Sequence, residues 1–372
     1  MMNMMNKISR NRQTKLLTVA LLTVALALGF TLSACKKKKP VVVKPPAGAV
    51  SQEATEPAAP QYFWPLTGLP SDDPTNTARR PLSVKIENSP QAQPQTGLNS
   101  ADIIYESMIE GAESRFNALY QSTIPKEVGP VRSARHTDLW IVPQYQGMLF
   151  YSGCNSEVRS KLKAAKLDIF PDANPAAPLY SRSTDRKTPH NLYLDTKAAY
   201  KLLKKHTDIM SATPATLNFD TAETAFTPDG ALEGFEATRA ASVNVHYYQH
   251  AIWTWNEERG VYLRKTGDKP HIDRASGEQM WIDNVVVMFA DYSQAQKKDP
   301  AGSPTYDTNM GGEGKAYLLR DGWLYKCRWK ADRNAPPRLF DANGKELSLK
   351  PGRTCFEVPP KKMLKTKIKY AK

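Results

Sequence analysis

The sequence lacks an apolar run long enough to cross a membrane. Its leading apolar stretch, Leu16–Phe30, has 15 residues, short of the ~20 that a spanning helix requires. Histidine and cysteine are scarce, at 6 and 4 residues, and they form no nucleophile motif and no complete metal-ligand set. His246 and His250 of "HYYQH", and the pair His271 and Asp273, fall in strand- and turn-like segments without the spacing of a known site. No metal and no cofactor is expected. No internal repeat is visible. The folded part also lacks excess charge, although the chain carries 51 Lys and Arg against 37 Asp and Glu. Fourteen of the basic residues lie in flanks free of Asp and Glu: Lys7, Arg10, Arg12 and Lys15, then Lys36–Lys39, then six in the tail 361–372. What remains is balanced, 37 against 37. A nucleic-acid binder carries its positive charge on the folded surface, so nucleic acid is excluded as a partner.

What is present begins with a basic leader, the apolar core and "LSAC". Together they read as a lipoprotein signal peptide over 1–34, with Ser33 and Ala34 preceding a lipidated Cys35. Residues 35–61, rich in Lys, Pro and Ala, read as a tether. The expected location is the extracytoplasmic face of the membrane, with the lipid on Cys35 and the basic flanks as contacts. One acyl chain alone anchors weakly, and lysines beside it suit an anionic surface. A plain solvated spacer is the alternative for those lysines.

Beyond the tether, residues 62–208 mix short β-forming segments such as "PLSVKIEN" and "RFNALYQST" with the helical spacings "NSEVRSKLKAAKL" and "DTKAAYKLLKKH". The pattern predicts an α+β or α/β chain, with an N-terminal layered α/β domain over 62–208. An irregular junction follows over 209–240. Residues 241–360 read as a smaller antiparallel β-rich domain, with turn signals at "RDGW" and "DANGK". Residues 361–372 form a basic tail. Once Cys35 is lipidated three cysteines remain. Cys327 and Cys355 fall in strand-like segments of an exported domain and are expected to form a disulfide, which leaves Cys154 as a buried free thiol.

Polar residues of the first domain gather at element ends, where α/β proteins place their sites. "GPVRSARH" brings Arg132, Ser133, Arg135 and His136 to the start of an amphipathic run, with Ser133 as a possible helix cap. Positive side chains there oppose the helix dipole, so an anion or an internal carboxylate is expected beside them. Glu106, Glu110 and Asp138 are the internal candidates. Arg115 follows Glu110 closely, and "TDRKTPHNLY" supplies Arg186, His190 and Asn191 in a loop, with Pro189 fixing the backbone before the imidazole.

These segments carry a resemblance. "RPLSVKIENSPQAQPQTGLNSADIIYE", "EGAESRF", "GPVRSAR" and "DRKTPHNLY" are similar to the signature segments of the YerB-like bacterial lipoproteins, a two-domain family of unknown function. "RKTGDKPHIDRASGEQMWIDNVVV" and "PPRLFDANGKELSLKPGRT" resemble that family's C-terminal domain. The resemblance spans residues 62–360 and implies a location and an architecture, without a reaction. Gln93, Ser114 and Cys355 depart from the pattern, and Gln93 stands where an arginine is usual.

Three readings follow from the residues. The first is a surface-anchored binding module for an anionic envelope component or an envelope protein, with Arg115, Arg132, Ser133, Arg135, Arg186, His190 and Asn191 as ligand-binding residues. Paired arginines hold carboxylate or phosphate by parallel hydrogen bonds. The second is an extracytoplasmic enzyme acting on a cell-wall polymer, with His190 and Glu110 or Glu157 as an acid/base pair. The third is a structural partner of an envelope complex, its arginines paired internally.

Overall fold

The computed structural model describes residues 62–167, 179–203, 215–247, 249–299, 302–361 and 367–370. All of them belong to one unit, Ala58–Lys372. Cys35, the signal peptide and the tether lie outside the described residues.

Strand Leu82–Glu87 reads Leu-Ser-Val-Lys-Ile-Glu, an alternation that ordinarily marks a strand with one face in water. All six residues are nevertheless buried. The polar face is covered by helix Asp138–Gln144: Lys85 Nζ lies 2.9 Å from Asp138 Oδ1, both side chains fully enclosed. Ser83 Oγ donates to Asn117 Oδ1 at 2.8 Å, and Asn117 donates to Asp138. Strands Ile103–Met108 and Ser114–Tyr120 are buried along their whole length too. Each of these strands therefore carries polar side chains into the interior.

Among the described residues one sheet holds sixteen strands, twelve of them in a continuous path. The path runs Lys269–Pro270, Val261–Thr266, Ala251–Asn256, Thr238–Val245, Trp323–Ala331, Gly312–Arg320, Asn284–Met288, Thr354–Val358, Ile103–Met108, Ser114–Tyr120, Leu82–Glu87 and Met148–Phe150. Thr354–Val358 joins late and early sequence, pairing in parallel with Asn284–Met288 on one side and Ile103–Met108 on the other. Leu82–Glu87 and Met148–Phe150 are also parallel, and the other pairings along the path are antiparallel. At the join both faces are covered: Val285, Val287 and Cys355 enter one core cluster, and Val286, Phe356 and Val358 the other. Burial on both faces explains the unbroken apolar run "VVVM" over Val285–Met288. Arg353 locks the join, donating to the carbonyls of Ala101, Leu98 and Trp281.

The turn signals act as read. At "RDGW" the hairpin closes with Asp321 and Gly322 both at positive φ, +51° and +76°, the geometry that suits the twist of a two-residue hairpin loop. Lys367–Tyr370, from the basic tail, pairs antiparallel with Thr238–Val245. Helix is scarce. The α-helices among the described residues are Pro74–Thr77, Asp138–Gln144, Ser156–Ala164 and Thr196–Leu203, four, seven, nine and eight residues long. The chain is mostly β, and the layered α/β reading of 62–208 reduces to short helices beside one end of a mixed sheet.

Two expectations are corrected. Ser133 caps no helix, because the helix starts at Asp138 and Arg132–His136 run ahead of it as irregular chain. Cys327 and Cys355 form no disulfide; both are free and buried. Two strands separate theirs in the sheet, which at ~4.8 Å per strand is about 14 Å, twice the reach of a disulfide. Their side chains also enter opposite core clusters.

Candidate functional site

The segment 130–134 is laid between two others by its backbone. Glu87 N donates to Pro130 O and Arg132 N to Lys85 O on one side. Ser152 N donates to Arg132 O and Ala134 N to Gly153 O on the other. This fixes Arg132 and Arg135 beside the end of the strand that carries Glu87. Arg115 sits directly across from Glu87 in the antiparallel ladder. The turn Glu110–Ala112 brings in Glu110, with Gly111 at φ +68° where a side chain is disfavoured.

The result is a cavity of about 360 Å³ whose lining includes Arg115, Arg132, Arg135, Glu110, Glu113 and Asp299. An adjoining cavity of about 300 Å³ shares Arg135, Glu110 and Asp299 and adds Ser133. Arg135 is held by Glu110, with Nε 2.7 Å from Oε1 and Nη2 donating to Oε2 at 2.9 Å. Arg132 Nε lies 3.1 Å from Glu87 Oε1, an ion contact without hydrogen-bond geometry. Arg115 is 7% exposed. Its Nη1 donates to Ser133 O at 2.9 Å, and its buried Nε has no hydrogen-bond acceptor. Burial, and next the charge of Arg135, push its guanidinium down to about 9. Glu87 Oε2 is likewise buried and unbonded.

His190 is outside the lining of both cavities and meets Glu87. Its Nδ1 is 3.0 Å from Glu87 Oε1, which also accepts from Ser89 Oγ. Its carboxylate partner is therefore Glu87, where Glu110 or Glu157 was expected; Glu157 instead lies 3.3 Å from His136. Arg186 donates to the carbonyls of Ala92 and Pro94. Asn191 donates to those of Ser183 and Arg186 and accepts from Arg182. Both tie the loop to its surroundings. Of the seven expected ligand-binding residues, Arg115, Arg132, Ser133 and Arg135 line the cavities, and His190 reaches them through Glu87. Of the other internal candidates, Asp138 pairs with Lys85 and accepts from the backbone N of Arg135 at 2.7 Å, and Glu106 pairs with Arg264 at 2.6 Å.

Sequence reasoning missed Glu87, whose place in an alternating strand reads as solvent-facing. It also missed a buried polar cluster at the join. Glu106 accepts from Asn88, Ser114 and Arg264, while Glu357 Oε1 accepts from Trp253 Nε1 at 2.7 Å. His271 is buried there, its Nε2 2.7 Å from Gln95 Oε1. Burial, and then Arg264, hold its imidazole well below the usual range. Asp273 accepts from the backbone of Gly97, Asn99 and Ala275. His271 and Asp273 thus serve as internal ties.

Comparison with known proteins agrees with this architecture. Two family models match: "Protein of unknown function (DUF3048) N-terminal domain" over residues 66–209 and "Protein of unknown function (DUF3048) C-terminal domain" over 242–355. The chain belongs to this two-domain family. Among its relatives is "Putative lipoprotein YerB" of Bacillus subtilis (strain 168), 27% identical over 314 residues, covering 83% of this chain and 89% of the relative. The crystal structure of the YerB protein from Bacillus subtilis superposes with a TM-score of 0.69 at 24% identity, over 82% of this chain and 100% of that one. No helix among the described residues is long and apolar enough to cross a membrane.

Proposed function

We propose that this chain is a lipid-anchored extracytoplasmic protein whose arginine cleft binds a carboxylate or phosphate group of a cell-envelope component. The observation that carries the reading is Arg115. Its Nε–H is buried without an acceptor beside a cavity that Arg132 and Arg135 also line. A buried unsatisfied donor is costly, and an ionised acceptor is the partner that best relieves it. Glu113 and Asp299 line the same cavity, so a ligand carrying an ammonium beside its anion meets complementary charge. Peptidoglycan stem peptides and aminoacylated phosphate polymers have that chemistry. The signal sequence preceding Cys35 and the likeness to a putative lipoprotein of Bacillus subtilis support the lipid anchor.

The test is calorimetric titration of the detergent-solubilised full chain with soluble muropeptides and with a glycerol-phosphate oligomer. Saturable binding is expected, weakened roughly tenfold or more in Arg132→Ala by loss of one charged hydrogen bond. Equal affinity in a folded Arg132→Ala, or no binding of either probe, overturns the reading in favour of internally paired arginines. Chemical conversion of a probe that stops in His190→Ala moves the protein to the enzyme class.

A further inference from the structure

A second cluster adjoins the arginine cleft, where the segment ahead of helix Asp138–Gln144 meets helix Ser156–Ala164 and strand Pro304–Asn309. His136 is fully buried there. Its Nδ1 is 3.1 Å from Tyr306 O, and a carbonyl only accepts, so Nδ1 is the protonated nitrogen. In the neutral ring Nε2 then carries the lone pair. That atom is buried and makes no hydrogen bond, although Glu157 Oε1 is only 3.3 Å away. Asp307 completes a set whose ligand atoms all lie within 4.8 Å of one another.

We propose that His136, Glu157 and Asp307 form a site for a divalent transition metal, Zn²⁺ foremost. A histidine oriented through its other ring nitrogen by a backbone carbonyl is the usual outer-shell arrangement of a metal-bound imidazole. Imidazole with carboxylates selects zinc-like ions over magnesium or calcium. Zinc bonds of ~2.0–2.1 Å in tetrahedral array place neighbouring ligand atoms about 3.4 Å apart. The His136–Glu157 separation, 3.3 Å, is already close to that value. Three protein ligands leave a fourth position for water or a bound group.

Lys161 is the internal competitor. Its Nζ lies 3.1 Å from Glu157 Oε1 and 3.0 Å from Asp307 Oδ2. It neutralises the carboxylates but does nothing for His136 Nε2. Its side chain is 40% exposed, and it lines, with Asp307, an open cavity of about 630 Å³. It has room to swing out, and that cavity gives a metal ion its way in.

The experiment is titration of the untagged, detergent-solubilised full chain with Zn²⁺ by calorimetry, repeated with Co²⁺ by visible absorption and with Mg²⁺ as control. One equivalent of Zn²⁺ is expected to bind, with Mg²⁺ failing to compete. Asp307→Asn, at a partly exposed position, weakens binding by roughly tenfold or more, whereas Lys161→Ala tightens it several-fold by removing the competing cation. His136→Ala risks misfolding at a buried position, and the other two variants keep the proposal open to refutation without it. Absence of saturable Zn²⁺ binding overturns it, as does unchanged affinity in Asp307→Asn. So does Lys161→Ala binding no more tightly than the parent, which leaves a plain ion-pair network.

Discussion

Glu357 is fully enclosed, and the cation beside it, Arg264, is already bonded to Glu106. Burial first, and the charge of Glu106 second, raise its carboxyl to about 8 from an ordinary 4.5. Between those values the folded chain holds a proton that the unfolded chain releases. Its contribution to stability therefore falls as pH rises through that window and levels off above it. One proton gives a slope of at most ~1.4 kcal/mol per pH unit. Glu357→Gln removes the slope, so in urea titrations between about pH 5 and pH 8 the variant is expected to gain on the parent as pH rises; parallel curves contradict the assignment. Legibility at this scale was uneven. Arg132, Arg135 and their neighbour Glu110 stood out because charges crowd a short segment. Glu87 and Glu357 did not, because each alternates with apolar residues as a solvent-facing residue does. Only packing on the second face of the sheet buries them.

Helix Ser156–Ala164 is nine residues with a low share of apolar side chains, so its ends matter to it. Asn155 Oδ1 accepts from Val158 N at 2.8 Å, satisfying one of the free amides at the first turn. Asn155→Ala is expected to cost about 1 kcal/mol of global stability, read from urea midpoints; an unchanged midpoint shows that the cap contributes nothing. This helix and the DG hairpin were legible, because spacing and turn chemistry act within a few residues. The parallel insertion of Thr354–Val358 between Asn284–Met288 and Ile103–Met108 was not, since nothing local distinguishes a parallel strand's partner. The disulfide expectation failed for that reason: Cys327 and Cys355 look adjacent in sequence pattern, yet the register places two strands between theirs. Mass spectrometry of unreduced protein is expected to find both thiols free, and a linked peptide pair contradicts the sheet order.

Across the whole molecule the two family regions share one sheet, and Arg264 reaches from the later region to Glu106 in the earlier one. Arg353 and Asp273 bond the backbone near residues 97–101. Regions tied through a common central strand and buried charges are expected to unfold together. Tryptophan fluorescence and far-UV circular dichroism should give one coincident denaturant transition, whereas two separated transitions would mean that the regions are stable apart. The same sheet fixes the cleft, because Arg115 and Glu87 are ladder partners in it. The most direct test of anion binding is nuclear magnetic resonance of the Arg115 Nε–H in the detergent-solubilised full chain, assigned through Arg115→Lys and titrated with glycerol phosphate. The expected result is a saturable shift of that signal, its midpoint moved to roughly tenfold or higher ligand concentration in Arg132→Ala. A signal that stays in place to saturating phosphate contradicts the binding cleft.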